Sequence, residues 1–312
     1  MNSNCIRKRT EETKVAVLMA TFNGIDWIAE QVDSILNQSD VNLTLYISDD
    51  CSSDGTYDYL QELEKGRINV ILVRNNRRLG SAGKNFYRLI QYVDASSFDY
   101  IAFSDQDDIW DRRKIFNQIS LINRNDAQAV SSNVVAFWQK GRKILVRKSQ
   151  PQKKYDFLFE SGGPGCTILM TSWLLGQIKH QLIVNHNAIK VEMHDWLAYA
   201  ICRALKKKWL IDKNPTLLYR QHKSNVIGVN SGFLALNDRL KKVSNGWYRS
   251  QLHLISAVVY AINKDENIAI FNQLVKSKSV FTQFMMLPFV IEGRRKKIDR
   301  LFLILSLIFF IF

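Results

Sequence analysis

Asp105-Gln-Asp107-Asp108 gathers three carboxylates into four residues, directly after the apolar run Tyr100-Ile-Ala-Phe103 and before Ile109-Trp110. An apolar run that breaks into carboxylates reads as a buried strand ending at a negatively charged mouth. In extended backbone, residues two apart point the same way, so Asp105 and Asp107 face together. Such a pair repels itself unless a cation joins it. A hard divalent ion carrying a diphosphate is the natural candidate. A bare D-x-D also occurs as a solvated acidic turn, so its meaning depends on the rest of the chain.

Four other stretches bear on it. Asp49-Asp50 follows the strand-like Leu43–Ser48. Carboxylates there can accept a hydrogen bond from the imide of a uracil or thymine ring, or cap the next helix as Ser52 and Ser53 can. Leu79-Gly-Ser-Ala-Gly-Lys-Asn85 places two glycines where a helix opens, so backbone can approach a phosphate or ring closely and Lys84 can meet base or diphosphate. Its glycine spacing is not that of a P-loop, and no G-x-G-x-x-G follows the first strand. His194-Asp195-Trp196 opens an apolar helical stretch. The helix dipole favours Asp195 there, as a cap or as a general base, with Trp196 as an apolar wall or a core residue. Tyr219-Arg-Gln-His222 ends an extended run; His222 can return to the acidic mouth and Arg220 can neutralise phosphate, although a single histidine is often structural.

The elements that must position these residues alternate. Val15–Ala20, Leu43–Ser48, Ile68–Val73 and Phe98–Ser104 read as buried strands. Ile25–Leu36, Thr56–Leu63, Ser81–Val93 and Asp111–Ile122 read as helices between and after them. Four βα units imply right-handed crossovers and a mostly parallel sheet covered on both faces. Ligands then bind beyond the carboxyl ends of the strands, where Thr21-Phe-Asn-Gly24, Asp49–Gly55 and Asp105–Asp108 fall. After residue 125 the alternation fades. Ala129–Trp138 and Lys143–Lys148 read as paired strands, Cys166–Met170 as a strand after the loop Ser161–Gly165, Asp195–Leu205 as a helix and Trp209–Tyr219 as extended. From Gly232 the pattern is helical and basic. The implied organisation is a polar tail over 1–13, a catalytic domain over 14–230 and a helical, basic region over 231–312.

The chain has 312 residues, 46% of them hydrophobic, and a formal net charge of +14. A basic surface points to polyanionic partners. No zinc-finger spacing or basic run interleaved with aromatics supports nucleic acid. Four cysteines without a C-x-x-C pair argue against a disulfide framework or zinc site and fit a reducing compartment. The polar start, Met1 to Lys14, lacks the apolar core of a signal peptide, so no export is expected. Leu301–Phe312 is almost wholly apolar but shorter than the roughly 20 residues a spanning helix needs. With Val280–Ile291 and the intervening Arg294-Arg-Lys-Lys297 it suits a helix lying in the interface of an anionic membrane; the alternative is a last helix docked on the core.

Taken together, Ala20-Thr-Phe-Asn-Gly24, Asp49–Thr56, Ser104-Asp-Gln-Asp-Asp-Ile-Trp110, Gly162–Cys166 and His194-Asp-Trp196 resemble the inverting family-2 glycosyltransferases, over about residues 14 to 230. The phrase Asp-Gln-Asp-Asp-Ile-Trp resembles the rhamnosyltransferase-like branch of bacterial surface-polysaccharide synthesis. The resemblance implies an α/β GT-A fold with a mostly parallel sheet and a helical C-terminal extension. It implies Thr21, Phe22, Asn23, Asp50, Lys84, Asp105 and Gln106 at the nucleotide, with Asp50 on the ring imide. Asp105, Asp107 and His222 would hold Mg²⁺ or Mn²⁺, and Asp195 would be the catalytic base. Gly163, Gly165, Cys166 and Trp196 would lie on the acceptor side. The family often has Glu-Asp where this chain has His194-Asp195, which leaves the role of His194 open. The implied donor is a dTDP- or UDP-linked sugar, dTDP-rhamnose first and a UDP-hexose as the alternative. The implied acceptor is a lipid-linked oligosaccharide at the cytoplasmic face of the plasma membrane, with the enzyme peripherally bound to that anionic surface. The Q-x-x-R-W signature of processive synthases is absent. A sugar-phosphate nucleotidyltransferase would want a glycine- and arginine-rich loop in place of Thr21–Gly24. A non-catalytic polyanion or membrane binder would rest on the net charge alone.

Overall fold

A computed structural model describes residues 13–222, 240–277, 279–309 and 311–312. The chain forms two compact units interleaved in sequence. One comprises the described residues up to Ser149, with Gly163–His180 and Lys208–His222; the other comprises Gln150–Gly162, Gln181–Lys207 and the described residues after 239. A boundary near residue 230 is therefore replaced by an interleaved one: the stretch bearing Asp195 groups with the C-terminal helices. The stretch 223–239, where the expected boundary falls, and residues 1–12 lie outside the described residues.

The first unit begins as β1 (Lys14–Thr21), α1 (Ile28–Leu36), β2 (Asn42–Asp49), α2 (Thr56–Gly66), β3 (Val70–Val73), α3 (Ala82–Tyr92), β4 (Tyr100–Ser104), β5 (Ile109–Trp110) and α4 (Lys114–Asn125). It continues with β6 (Ala129–Ser132), β7 (Val134–Trp138), β8 (Lys143–Val146), β9 (Leu169–Thr171), β10 (Trp209–Asp212) and β11 (Leu217–Gln221). A further helix runs Ser172–Val184. One sheet has the order β10-β6-β9-β4-β1-β2-β3. Only β9 runs against its neighbours, pairing antiparallel with β4 and β6. Val15 to Met19 of β1 are all fully buried, as both faces of a covered parallel strand require. The core-facing residues are the ones the periodicity selects: Ile28, Val32 and Ile35 on α1, and Phe86, Leu89 and Ile90 on α3.

A smaller sheet, β5-β11-β7-β8, stands beside the large one within this unit. Three expected elements change here. Ala129–Trp138 is two strands in two sheets, divided at Asn133. Its Nδ2 donates to Lys213 O (2.6 Å), and its Oδ1 accepts from the backbone of Lys148 (2.6 Å) and Ser149 (3.0 Å), which fixes the switch point. Trp209–Tyr219 is likewise two strands in two sheets. Gly165–Thr167 is a 3₁₀ turn, and β9 starts only at Leu169.

The second unit is helical: α5 (Asp156–Phe159), α6 (His194–Ala204), α7 (Trp247–Asn263), α8 (Glu266–Lys276), α9 (Val280–Met285), α10 (Leu287–Ile291) and α11 (Lys297–Ile308). Residues 194–202 of α6 are all buried, as in a helix packed on every side. Of the basic cluster Arg294–Lys297, the two arginines turn inward while Lys297 is exposed. Arg295 is buried, with Nη1 3.3 Å from Asp156 and Nη2 3.3 Å from Glu160. Arg294 donates to Phe159 O at 2.9 Å. The apolar tail divides too: Leu303, Leu307 and Phe312 are buried, whereas Leu301, Leu305, Ile308 and Phe309 are exposed. No helix of the described residues is long and apolar enough to cross a membrane.

Candidate active site

The loop after β4 carries the acidic mouth, and β11 closes on it from the side. Trp110 and Ile109 of β5 pair antiparallel with Leu217 and Leu218 of β11, which sets the register. Arg220 then donates from its backbone N to Asp108 Oδ1 (3.1 Å) and from Nε to Asp107 O (2.8 Å). Two residues on, His222 Nε2 lies 2.7 Å from Asp107 Oδ2. The His222 ring stacks on Trp27, centroids 3.9 Å apart and planes 16° from parallel. Arg220 also pairs with Glu30 of α1, so its charge meets protein rather than standing open for phosphate.

The three carboxylates are not equivalent. Asp105 is half-buried, Asp107 is 8% exposed and Asp108 is fully buried. Burial, reinforced by Asp107 and Asp105, pushes the Asp108 carboxyl well above the usual carboxylate range. Its partner is the Cys166 thiol, itself pushed far up by burial and the same carboxylates. Asp105, Asp108 and Cys166 bring ligand atoms within 4.8 Å of one another. A buried, protonated thiol and a buried carboxyl of raised pKa suit a packed pair better than a ligand set for a hard cation. Asp107 and His222, 2.7 Å apart, offer an oxygen and a nitrogen donor of the kinds Mg²⁺ and Mn²⁺ accept, whereas Asp105 converges with Asp108 and Cys166 instead. Below lies the fully buried Lys114, its ammonium 3.9 Å from the Trp110 ring centroid and 3.1 Å from Gln118 Oε1. Burial pushes its pKa down to about 7.

Several of the residues expected at the nucleotide hydrogen-bond within the protein. Thr21 Oγ1 donates to Asp49 Oδ2 (2.9 Å) inside the core. Asn23 adopts a positive φ of 48°; its backbone N donates to Ser52 Oγ (2.8 Å) and its Oδ1 accepts from Ser53 N (2.9 Å). Gln106 grips the Phe22 backbone, accepting from its N at 2.8 Å and donating to its O at 2.9 Å. A Cβ at Gly24 would come 2.5 Å from the Gln106 carboxamide, so this clasp needs a glycine. Thr21, Asn23 and Gln106 thus each make hydrogen bonds within the protein around the Phe22 loop. Asp50 accepts from the backbone N of Leu79 and from that of Gly80 (2.9 Å). A carboxylate has about four acceptor positions, so it retains capacity for a ring imide. Phe22 is covered by the Arg78 guanidinium, 4.1 Å from its ring centroid. Lys84 is exposed in the first turn of α3, whose N-cap is Ser81.

The acceptor-side expectations also shift. A Cβ at Gly163 would come 2.9 Å from Ser131 Cβ, and Cys166 is buried, so both serve packing in the first unit. Gly165 opens the short turn that buries Cys166. Within the second unit, Trp196 is 4% exposed and donates from Nε1 to Phe157 O (2.9 Å), which makes it a core residue rather than a wall. Asp195 sits in the first turn of α6, 7% exposed, its Oδ1 accepting from Trp196 N at 2.8 Å. His194 is buried, which pushes its pKa down to about 3. Trp27, Glu30 and Lys114 belong to the site region without a sequence signal: Glu30 and Arg220, for example, are 190 positions apart.

Residues 16–175 match the family model described as glycosyl transferase family 2. The chain belongs to glycosyltransferase family 2. The transferase is 42% identical over 296 residues, 94% of this chain and all of the other, to a protein of Shigella flexneri named dTDP-rhamnosyl transferase RfbG. It is 32% identical over 163 residues to the Escherichia coli protein named UDP-Glc:alpha-D-GlcNAc-diphosphoundecaprenol beta-1,3-glucosyltransferase WfgD, covering 52% of this chain and 61% of that protein. The fold is shared with the crystal structure of S. aureus TarS 1-349 in complex with UDP-GlcNAc, at a TM-score of 0.58 and 12% identity, over 96% of this chain and 82% of that one. These matches agree with the GT-A architecture that the motifs implied.

Two outcomes test this geometry. Gln106→Ala leaves the Phe22 backbone N–H and C=O without their partner and should lower the unfolding free energy by about 1–3 kcal/mol, measured by urea denaturation. His194 gives a signed pH effect. Between pH 6.5 and about 3 the unfolded chain binds a proton there that the folded chain does not, so stability falls as pH falls through that window. From this group alone, the loss between pH 6.5 and 5 is about 2 kcal/mol. Urea unfolding at both pH values should show it, and His194→Gln should remove it.

Proposed function

We propose that this transferase moves a rhamnosyl group, with inversion, from dTDP-rhamnose to a lipid-linked glycan in bacterial surface-polysaccharide synthesis. One observation carries the reading: the Asp105/Asp107 pair with His222 beside it stands in a chain matched end to end by a relative named dTDP-rhamnosyl transferase. The name of the E. coli relative contains UDP-Glc, and uracil and thymine share the imide that Asp50 would read, so Asp50 alone admits either nucleotide. The longer and closer match favours dTDP. A diphosphoundecaprenol acceptor in the same relative's name supports a lipid-linked acceptor here.

Asp105, Asp107 and His222 would hold Mg²⁺ or Mn²⁺, which when bound offsets the charge developing on the departing diphosphate. Asp50, with two backbone N–H groups already fixing its carboxylate, orients the base. Asp195 accepts the proton of the acceptor hydroxyl. The hydroxyl oxygen bonds to the anomeric carbon as the carbon–oxygen bond to the diphosphate breaks, and a single displacement inverts the centre. Base assistance of this kind is worth roughly 10²–10⁴-fold.

A lipid-linked acceptor requires the enzyme to work at a membrane surface. The second unit presents Phe281, Phe284 and Met285 of α9, and Ile298, Leu301 and Leu305 of α11, as exposed side chains. So much exposed apolar surface on short helices, in a chain of net charge +14, favours the anionic inner leaflet of the plasma membrane as its cover.

Asp195→Asn should lower transfer about 10²–10⁴-fold while donor binding persists, and Asp107→Ala should abolish the response of diphosphate affinity to Mn²⁺. Product assays and titration calorimetry with dTDP-rhamnose decide both; a fully active Asp195→Asn removes that residue from its role. Phe281→Glu with Phe284→Glu should release the protein from phosphatidylglycerol vesicles in a sedimentation assay. Deleting Leu301–Phe312 is the poorer test, because it also removes the buried Leu303, Leu307 and Phe312.

A further inference from the structure

Segment 153–161 lies along α6 and pins it at successive turns. Phe157 O accepts from the Trp196 indole at 2.9 Å. Both Asp156 carboxylate oxygens accept from the Tyr199 hydroxyl at 3.0 Å, and Oδ1 also accepts from Arg203 Nη1 at 3.0 Å. Lys153 O accepts from Arg203 Nη2 at 3.0 Å. Residues 196, 199 and 203 share one helix face by their spacing. The same segment is gripped by the stretch between α10 and α11. Arg295 bridges Asp156 and Glu160, and its backbone N donates to Glu160 Oε1 at 2.7 Å. Asp156 has no exposed surface and the Arg295 side chain almost none. A buried carboxylate between two guanidiniums tolerates little displacement, since any partner removed leaves a charge without water.

The geometry points to Asp156 as a positioning residue for the Asp195 carboxylate, with Arg295 completing it from the C-terminal helical region. This inference rests on Asp195 being the base. A base must lie within hydrogen-bond reach of the proton it takes. The Asp195 carboxylate is held by its own helix, through Trp196 N, so a turn or slide of α6 carries it along. A misplacement of about 1 Å can cost about 10²-fold in rate. The C-terminal helices would thus belong to the catalytic apparatus and could not be detached as a mere anchor.

A double-mutant cycle on the full chain tests this, with kcat and donor KM as readouts. Tyr199→Phe removes one hydroxyl and keeps the ring; Arg295→Lys keeps the charge and removes the fork. Each should lower kcat by about tenfold or more, with donor KM changed less than about twofold. Combined with Asp195→Asn, neither should slow the enzyme beyond Asp195→Asn alone by more than about twofold, because the group being positioned is gone. A purely structural loss would multiply with Asp195→Asn instead, and multiplied losses overturn the inference, as does unchanged kcat in both single variants. A fully active Asp195→Asn is a separate result: it overturns the base assignment itself, and this inference with it.

Discussion

Three carboxylates at the end of one buried strand set the terms for the rest of the first unit. Asp105 and Asp107 raise the energy of the buried Asp108 carboxylate, against which the buried Lys114 ammonium and the Arg220 backbone act. The protein divides them by burial. Asp108 is withdrawn into the core, where it meets the Cys166 thiol and the Arg220 backbone, so it fastens the loop to β11. Asp105 and Asp107 stay nearer the surface with His222 alongside.

That arrangement needs a second, smaller sheet. β5 is only two residues long, yet its pairing with β11 fixes where Arg220 and His222 fall. Trp27 and Glu30 then hold those two side chains from below, by stacking and by charge. On the nucleotide side the logic is similar. Gln106 holds the Phe22 backbone, Ser52 accepts from Asn23, Thr21 donates to Asp49, and the Asp50 carboxylate accepts from the backbone of Leu79 and Gly80.

The second unit works by burial as well. Asp156, Glu160 and Arg295 pair inside it, while Phe281, Phe284 and Met285, and Ile298, Leu301, Leu305, Ile308 and Phe309, are exposed. Exposed apolar side chains on α9 and α11 thus accompany a charged network held inside the same unit. It also makes α6, the helix of Asp195, dependent on residues almost a hundred positions further along the chain.

Local physics made much of this legible in the sequence. Hydrophobic period named the four βα units, with ends misplaced by only a few residues, because a buried strand and an amphipathic helix each carry their own spacing. Acid clusters after those strands pointed to the mouth because they fall together beyond the carboxyl ends of a parallel sheet, although each alone could be a solvated turn or a helix cap. The sequence reading went astray where partners are distant. Gln106 looked like a ligand contact until Phe22 was found in its grip. Arg294 and Arg295 looked like a membrane patch until Phe159, Asp156 and Glu160 came to meet them. Residue type and spacing determined the fold family and the chemistry on offer. Which side chains were left to perform it was decided only when tertiary contacts satisfied the others, because a polar group's role depends on whether protein or ligand completes its hydrogen bonds.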